Sequence, residues 1–354
     1  MSGVSAPVAT LFLLGIFVLS YALAGWYRRY ALRRDILDIP NARSSHFTPV
    51  PRGGGVSFVL VFLGASLFFF LFFPERDALW LALVGGGGGV ALLGWLDDRY
   101  DLSSGRRFLF QGLAAAWALY WLGGLPTLTL GSAVLELGWL GYPLAWLGIM
   151  WMLNLYNFMD GIDGLTSGQG VLVAVTVSFL LLLTQHNELA FVTLTLGGAI
   201  LGFLVWNWPP AKIFMGDVGS GFLGFIFALL AVYSENSGAL PLLGWFALFA
   251  VFFVDTTATL VLRTLRGERW YEAHNTHAYQ KAVQAGLSHR QVTITILLIG
   301  AALSVVTLIG TLQPTLLLPL VALAVAALFM LWWAISVRGM LKARRDFIER
   351  GKQL

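Results

Sequence analysis

Long apolar runs recur along the whole chain, and they constrain its fold more than any other feature. A run of about 18–22 apolar residues is long enough to cross the hydrocarbon layer of a bilayer as a helix. Only 11% of the 354 residues are charged, whereas roughly a quarter are charged in a typical soluble domain. The sequence therefore predicts an all-α, polytopic bundle of transmembrane helices.

Windowed hydropathy predicts about eleven membrane spans. The predicted spans cover residues 8–26, 54–73, 79–96, 107–123, 141–156, 166–184, 189–206, 219–234, 240–262, 291–311 and 315–336. The longest polar segments between them run to about 30 residues, which is shorter than the ~50 residues of a small domain. We therefore expect residues 1–354 to form a single integral-membrane domain.

The basic residues alternate between loops and thereby orient the predicted bundle. If the N-terminus lies outside, every one of the 22 basic residues except Arg76 falls in a cytoplasmic loop or tail. Cytoplasmic loops of membrane proteins are enriched in Lys and Arg. We therefore expect an outside N-terminus and a cytoplasmic C-terminus.

Carboxylates gather on the same predicted side as the basic loops. Asp97 and Asp98 follow the third span in "LDDRYD", and Asp217 lies in the glycine-bounded turn of "FMGDVGSG". An acid at the bilayer centre costs about 2.5–3.5 kcal/mol, so acids collected at one face indicate a shared site. Two adjacent carboxylates can bind a divalent cation or share a proton, because like charges push their pKa values apart. Asp217 could instead only cap the helix that follows it.

The stretch "NLYNFMDGIDGL" places two amides and two carboxylates at intervals of three residues. They are Asn154, Asn157, Asp160 and Asp163. Gly161 indicates that the helix ends inside the stretch, and oxygen ligands at a helix end suit Mg²⁺. Because the chain has no cysteine, metal chemistry based on thiolates is excluded.

Cations that suit phosphate groups lie on the same predicted face. Lys212 precedes the turn of Asp217, and the last large loop combines Arg263 and Arg269 with His274 and His277. Arg and protonated His bind phosphate oxygens, although an interfacial helix with incidental histidines would also explain that loop. Acids for Mg²⁺ and cations for phosphates predict a membrane enzyme that transfers phosphoryl groups onto or from a lipid.

Four motifs, in order on predicted cytoplasmic loops, resemble those of the polyprenyl-phosphate N-acetylhexosamine-1-phosphate transferases. They are "DIPNARSSHFTPVPRGGG", "DDRYD", "NLYNFMDGIDGL" and "FMGDVGS". The family commonly carries a HxHH cluster in its last large loop; here His277 remains, while Tyr279 and Gln280 replace the other two histidines. This departure is similar to the O-antigen-initiating branch of the family and weakens any role for several histidines.

The resemblance implies a reaction and its partners. N-acetylhexosamine 1-phosphate would pass from a UDP-sugar to undecaprenyl phosphate, giving polyprenyl-diphospho-N-acetylhexosamine and UMP. Mg²⁺ would be the cofactor, and Mn²⁺ could substitute for it. The step would begin O-antigen or another envelope polysaccharide at the cytoplasmic face of a bacterial inner membrane, so the N-terminus would be periplasmic. A homodimer is compatible with the resemblance, and no nucleic-acid partner is expected.

The resemblance also assigns roles to individual residues. Asp217 would ligate Mg²⁺, with Asn157 as a second ligand. Asp97 and Asp98 would handle the lipid phosphate, with Asp97 as the base that prepares it for direct attack; a covalent phospho-aspartyl route stays open. His277 would stabilise the diphosphate.

Further residues are expected to contact the substrates. Asp163 would contact the uracil, Asn207 would help to hold the nucleotide, and Arg263 or Arg269 would assist at the diphosphate. The remaining expected contacts are Asn154, Asp160, Lys212, Arg43 and His46.

Two other classes of function compete with a sugar-phosphate transferase. An intramembrane prenyltransferase could use the DDxxD pattern, but its second acidic motif would read NxxxD or DxxxD rather than DGxDG. A transporter would place ionisable groups near the middle of the membrane, whereas the acids here cluster at one predicted face.

Overall fold

The structure is a computed structural model that describes residues 6–40, 48–72, 77–268 and 274–351. Its α-helices are α1 Ala6–Arg33, α2 Val56–Phe72, α3 Asp77–Leu81, α4 Gly87–Tyr100, α5 Ser104–Leu122, α6 Gly141–Met159, α7 Leu165–Leu183, α8 Asn187–Asn207, α9 Asp217–Asn236, α10 Leu242–Leu248, α11 Ala250–Leu265, α12 Ala278–Gln284, α13 His289–Leu312 and α14 Pro314–Gly351. A π-helical segment, Ala82–Gly86, joins α3 to α4, and a 3₁₀ turn, Gly138–Leu140, precedes α6.

Two short antiparallel hairpins are the β-structure of the described residues. Strands β1 Leu37–Asp38 and β2 Val50–Pro51 pair after α1, and β3 Thr127–Leu130 pairs with β4 Ala133–Glu136 before α6. Each predicted span coincides with helix, so the all-α prediction is confirmed. The hydropathy pattern did not predict either hairpin, because strands this short carry little periodic signal.

Seven helices of the described residues are long and apolar enough to cross a membrane. The pair α10–α11, which bends by 76° at its junction, would make an eighth. Helix α2, with 17 residues, is apolar but shorter. The protein is therefore a multi-pass membrane protein, while the count of eleven spans and the orientation of the termini stay predictions.

Helix α9 forms the centre of the bundle, and 83% of the residues in its 18-residue apolar stretch are buried. It packs against α4 and α6, while α8 packs against α1 and α7. Glycines allow the closest approaches in such bundles, because membrane helices associate through backbone packing. A Cβ at Gly94 of α4 would lie only 2.6 Å from the carbonyl oxygen of Asp217 and from Cα of Val218.

We expect Gly94→Ala to lower the unfolding temperature of the detergent-solubilised protein. The new methyl would push α4 away from the first turn of α9, and overpacking of this kind costs about 1–3 kcal/mol. Gly88→Ala in the same helix is the matched control, because no atom of a neighbouring described helix lies within 4 Å of a Cβ built at Gly88. Its unfolding temperature should stay the same or rise, because Ala stabilises a helix interior relative to Gly by about 0.5–1 kcal/mol. Equal unfolding temperatures for the two variants would contradict the prediction.

Candidate functional site

Four polar side chains meet where α4, α5, α6 and α9 come together at one end of the bundle. The amide Nδ2 of Asn157 donates to Oδ1 of Asp217 at 3.1 Å. The guanidinium Nη1 of Arg107 donates to Oδ2 of Asp97 at 3.0 Å and lies 3.8 Å from Oδ2 of Asp217. One arginine therefore bridges two carboxylates that belong to different motifs.

The carboxylate of Asp98 caps the first turn of α9. Its Oδ1 accepts from the backbone N–H of Asp217 at 3.0 Å, and its Oδ2 accepts from that of Val218 at 3.2 Å. Carboxylates are favoured at helix N-termini, where backbone N–H groups lack partners. Gly216 adopts φ +76°, and a Cβ there would lie 2.6 Å from Oδ2 of Asp98. Asp98 thereby fixes where Asp217 stands.

The glycine-rich end of the first loop runs alongside the turn that precedes α9. The N–H of Gly54 donates to the carbonyl of Phe214 at 2.9 Å, which holds the two motifs together. Just before it, Arg52 donates from Nη2 to the backbone carbonyl of Asp98 at 2.7 Å, and its Nε lies 3.4 Å from Oδ1 of the same residue. All four motifs named from the sequence thus meet at one end of the bundle.

The loop between α6 and α7 carries the two carboxylates of the DGxDG motif. Oδ2 of Asp163 accepts from the backbone N–H of Ala211 at 2.9 Å, and its Oδ1 lies 3.1 Å from Nδ1 of His289. Asp163 therefore ties three segments of the chain together. Oδ1 of Asp160 accepts a short hydrogen bond from the hydroxyl of Thr166. Burial raises the pKa of Asp160 to about 7.

Asn207 lies behind this loop and is almost fully buried. Its Oδ1 accepts from the N–H of Gly164 at 3.1 Å and from Oγ of Ser167 at 2.6 Å, while its Nδ2 donates to the carbonyl of Ile213 at 3.0 Å. Both ends of the amide are thus occupied by protein groups. In this structure Asn207 joins the end of α8 to the DGxDG loop.

Two other predicted contacts lie at the edge of the cluster. Nδ2 of Asn154 donates to the carbonyl of Met150 within its own helix at 2.7 Å. Lys212 is exposed, and its Nζ stands 5.4 Å from the ring centroid of Trp206, over which Arg28 also lies at 6.0 Å. Three predicted contacts fall outside the described residues, namely Arg43, His46 and Arg269.

His277 is enclosed rather than open, with 1% of its surface exposed. Its ring centroid lies 4.7 Å from that of His274, 5.8 Å from Tyr279 and 6.0 Å from Phe158. Its Nδ1 is 3.5 Å from Oδ1 of Asp255 in α11. His277 immediately precedes α12, so the position of this short helix sets the position of the ring.

The two residues that depart from the family pattern contact the end of α6. The hydroxyl of Tyr279 donates to the carbonyl of Phe158 at 2.9 Å, which satisfies one of the last carbonyls of that helix. A Cβ at Gly161 would collide with this hydroxyl and would lie 3.2 Å from Nε2 of Gln280. The sequence interpretation missed four residues that build the site, namely Arg52, Arg107, Tyr279 and His289. Arg107 entered only the count of basic residues, and Arg52 was not singled out within the first-loop motif that contains it.

The pKa of His274 is lowered to about 4 by burial, by His277 and by Arg263, whose Nη1 also pairs with Oε2 of Glu268 at 3.0 Å. In the folded protein, the imidazole of His274 therefore binds a proton less readily than in the unfolded chain, where its pKa is near 6.5. The free energy of unfolding is therefore unaffected by His274 above its unfolded pKa, and it decreases as the pH falls from there toward the folded pKa.

We accordingly expect the unfolding temperature of the wild type to fall more steeply between neutral pH and mild acid than that of His274→Asn. Unfolding curves of both proteins in one detergent, measured over a pH series, test this. Parallel curves for wild type and His274→Asn would count against the lowered pKa.

The donor set at the centre of the site fits Mg²⁺. Asp217 offers a carboxylate, Asn157 an amide oxygen and Asp97 a second carboxylate, and Mg²⁺ prefers one or two carboxylates completed by waters and substrate phosphates. No three His, Cys, Asp or Glu side chains among the described residues form a metal cluster by themselves. The arrangement therefore suits an ion shared with a phosphate-bearing substrate.

Comparison with known proteins agrees with the motifs. The sequence model described as glycosyl transferase family 4 matches residues 80–235. The chain is 32% identical over 290 residues to a Bacillus subtilis (strain 168) protein named "Probable undecaprenyl-phosphate N-acetylglucosaminyl 1-phosphate transferase", with 78% of each chain covered.

Two further relatives extend the match over most of the chain. One is the decaprenyl-phosphate N-acetylglucosaminephosphotransferase of Mycobacterium tuberculosis (strain CDC 1551 / Oshkosh), 31% identical over 338 residues, with 84% of this chain and 81% of the relative covered. The other is the undecaprenyl-phosphate alpha-N-acetylglucosaminyl 1-phosphate transferase of Yersinia pestis, 28% identical over 351 residues, with 96% and 94% covered. Together with the four motifs at one site, these matches show that the chain belongs to glycosyl transferase family 4.

Proposed function

We propose that this chain transfers N-acetylglucosamine 1-phosphate from UDP-N-acetylglucosamine to undecaprenyl phosphate and releases UMP. The observation that carries the proposal is the cluster of Asp97, Arg107, Asn157 and Asp217 at one end of apolar helices. Such a place suits a reaction between a soluble nucleotide sugar and a phosphate anchored in the bilayer. All three relatives are named for N-acetylglucosamine, which favours this sugar among the N-acetylhexosamines.

Asp217 and Asn157 would hold Mg²⁺, and Mn²⁺ would substitute for it. The ion, when bound, neutralises charge on the diphosphate and polarises a phosphoryl oxygen. Both oxygens of Asp98 accept backbone N–H groups of α9, and its expected contact with the lipid phosphate stays a prediction. Its proposed role is to hold Asp217 in place.

Asp97 would accept the remaining proton of the lipid phosphate, and Arg107 would orient both the carboxylate and the incoming phosphate oxygens. An oxygen of the lipid phosphate then attacks the β-phosphorus of the donor. A new P–O bond forms as the bond to the bridging oxygen breaks, and UMP leaves with that oxygen. One phosphoanhydride replaces another, so the reaction should be close to thermoneutral. Asp163 and Asn207 would shape the nucleotide side of the site through the loop that they hold.

The isoprene units nearest the phosphate would lie in an apolar cavity of about 380 Å³ between α6, α9, the α10–α11 pair and strand β3. Its lining includes Met152, Phe227, Trp245 and Phe249. Met152 precedes Asn157 by five residues, or about 7.5 Å along α6. A chain seated there would therefore keep its phosphate near the polar cluster.

The proposal extends to the setting of the enzyme. The alternation of the basic loops supports a site at the cytoplasmic face of a bacterial inner membrane, where the nucleotide sugar would be available. The product would begin an envelope polysaccharide such as O-antigen. A homodimer stays a prediction.

The test is a reconstituted assay with purified protein, undecaprenyl phosphate, Mg²⁺ and one of several UDP-sugars. We expect UMP release with UDP-N-acetylglucosamine and a lipid product that carries a diphosphate. Release with UDP-N-acetylgalactosamine alone would overturn the choice of sugar. No UMP with any UDP-N-acetylhexosamine would overturn the function, and diphosphate release from a prenyl diphosphate would favour the prenyltransferase.

A further inference from the structure

A carboxylate inside α11 holds the start of α12. Oδ1 of Asp255 accepts from the backbone N–H of Ala278 at 2.8 Å and from Oγ1 of Thr259 at 3.2 Å, while Oδ2 accepts from the N–H of Tyr279 at 3.2 Å. Asp255 is 6% exposed. A buried carboxylate is expensive unless it is hydrogen-bonded, and here three donors satisfy it.

The identity of the residue before α12 explains why the carboxylate comes from another helix. A helix usually begins with Ser, Thr, Asp or Asn, whose side chain accepts from its first free N–H groups. That position here is His277. Asp255 supplies the acceptor for the first two N–H groups of α12, those of Ala278 and Tyr279, so these two groups do not depend on the side chain at position 277.

The same carboxylate joins three parts of the molecule. On one side, Nε1 of Trp332 in α14 donates to Oγ1 of Thr259 at 3.0 Å, and Thr259 donates to Asp255. On the other side, α12 presents Tyr279, whose hydroxyl reaches the carbonyl of Phe158 beside the predicted metal ligand Asn157. A continuous set of hydrogen bonds thus runs from α14 to the end of α6.

We propose that Asp255 is a positioning residue, which holds α12 so that His277 and Tyr279 stay packed against the end of α6. For the reaction, the inference rests on the proposed function, because His277 is the group that Asp255 would position. The placement of α12 itself does not depend on what the enzyme transfers.

The first experiment therefore measures structure and needs no substrate. In the full chain, Asp255→Asn leaves one acceptor oxygen and turns an NH₂ group toward the backbone N–H of either Ala278 or Tyr279. We expect amide hydrogen exchange across 277–284 to rise at least about tenfold, because the capping bonds are lost. His277, buried in the wild type, should also become reactive toward diethyl pyrocarbonate.

Thr264→Val is the matched control, since among the described residues the hydroxyl of Thr264 bonds the carbonyl of Leu260 in its own helix and not Asp255 or α12. It should leave both measurements unchanged. If Asp255→Asn does not yield folded protein, Thr259→Val replaces it, because it removes one donor and keeps the carboxylate; a smaller rise, about threefold, is then expected. Unchanged exchange and an unreactive His277 in the folded variant would overturn the proposal.

The second experiment is a double-mutant cycle on kcat for UMP release with Asp255→Asn, His277→Gln and the double variant. If Asp255 acts through His277, the double variant should be no slower than His277→Gln alone. Losses that multiply would indicate general damage to packing and would overturn the link to His277. A wild-type enzyme that releases no UMP would contradict the proposed function. The amide hydrogen exchange experiment would still decide whether Asp255 positions α12.

Discussion

Asp217→Asn is expected to lower UMP release at least about 1,000-fold, because a bound metal contributes several kcal/mol to transition-state stabilisation and each 1.36 kcal/mol is tenfold in rate. The substitution keeps the size of the side chain. It also keeps the backbone N–H that Asp98 caps and an oxygen that can accept from Asn157. The folded structure should therefore survive while the charge that attracts Mg²⁺ is lost.

The measurement is initial rate against Mg²⁺ concentration, with unfolding temperature recorded for the same preparations. Asp101→Asn is the matched control, because Asp101 is an exposed carboxylate of the DDRYD motif with φ +46°, a conformation that Asn adopts readily. It should keep the activity of the wild type. An Asp217→Asn enzyme with more than about a tenth of the wild-type rate at saturating Mg²⁺ would contradict the metal assignment.

Asp97→Asn is expected to lower kcat by about 10²- to 10⁴-fold, the range that a positioned general base supplies. The amide cannot take the proton of the lipid phosphate, and it also weakens the pairing with Arg107 that now spans 3.0 Å. The KM for the UDP-sugar should change far less, since Asp97 would act on the other substrate. Steady-state kinetics with each substrate varied in turn separates the two parameters.

The wild-type enzyme can distinguish direct attack by the lipid phosphate from the covalent phospho-aspartyl route. Wild type mixed with UDP-N-acetylglucosamine and Mg²⁺, without lipid, should release no UMP if the lipid phosphate attacks directly. A burst of one UMP per enzyme would indicate a phospho-aspartyl intermediate. A kcat for Asp97→Asn equal to that of the wild type would remove Asp97 from both routes.

Local patterns account for what the sequence predicted well. Apolar runs of membrane-spanning length identify helices regardless of their neighbours, and each predicted span coincides with helix. Gly161 predicted the end of α6 correctly, because glycine after a polar helix end favours a turn. The break between α10 and α11 was not predicted, since both segments are apolar and no proline or charge marks the junction.

Contacts between distant residues could not be derived in this way. Arg107 and Asp217 are 110 positions apart, and only the packing of α5 beside α4 and α9 brings their side chains within 3.8 Å. Asp97 and Asp98 are adjacent residues of the same type, yet Asp97 contacts Arg107 whereas Asp98 caps α9. Adjacent residues on a helix point about 100° apart, so their environments follow from the neighbouring helices.

By itself, the sequence determined that this chain is a helical membrane protein with acids and cations gathered for a phosphate-bearing substrate. Hydropathy, charge alternation and motif spacing are properties of short stretches, so they can be read without a fold. Only the tertiary structure decided which of these polar groups face the reaction and which support others. The carboxylates of Asp98 and Asp255 each cap a helix from outside it. That division depends on hydrogen bonds between separate helices, and these exist only once the bundle has packed.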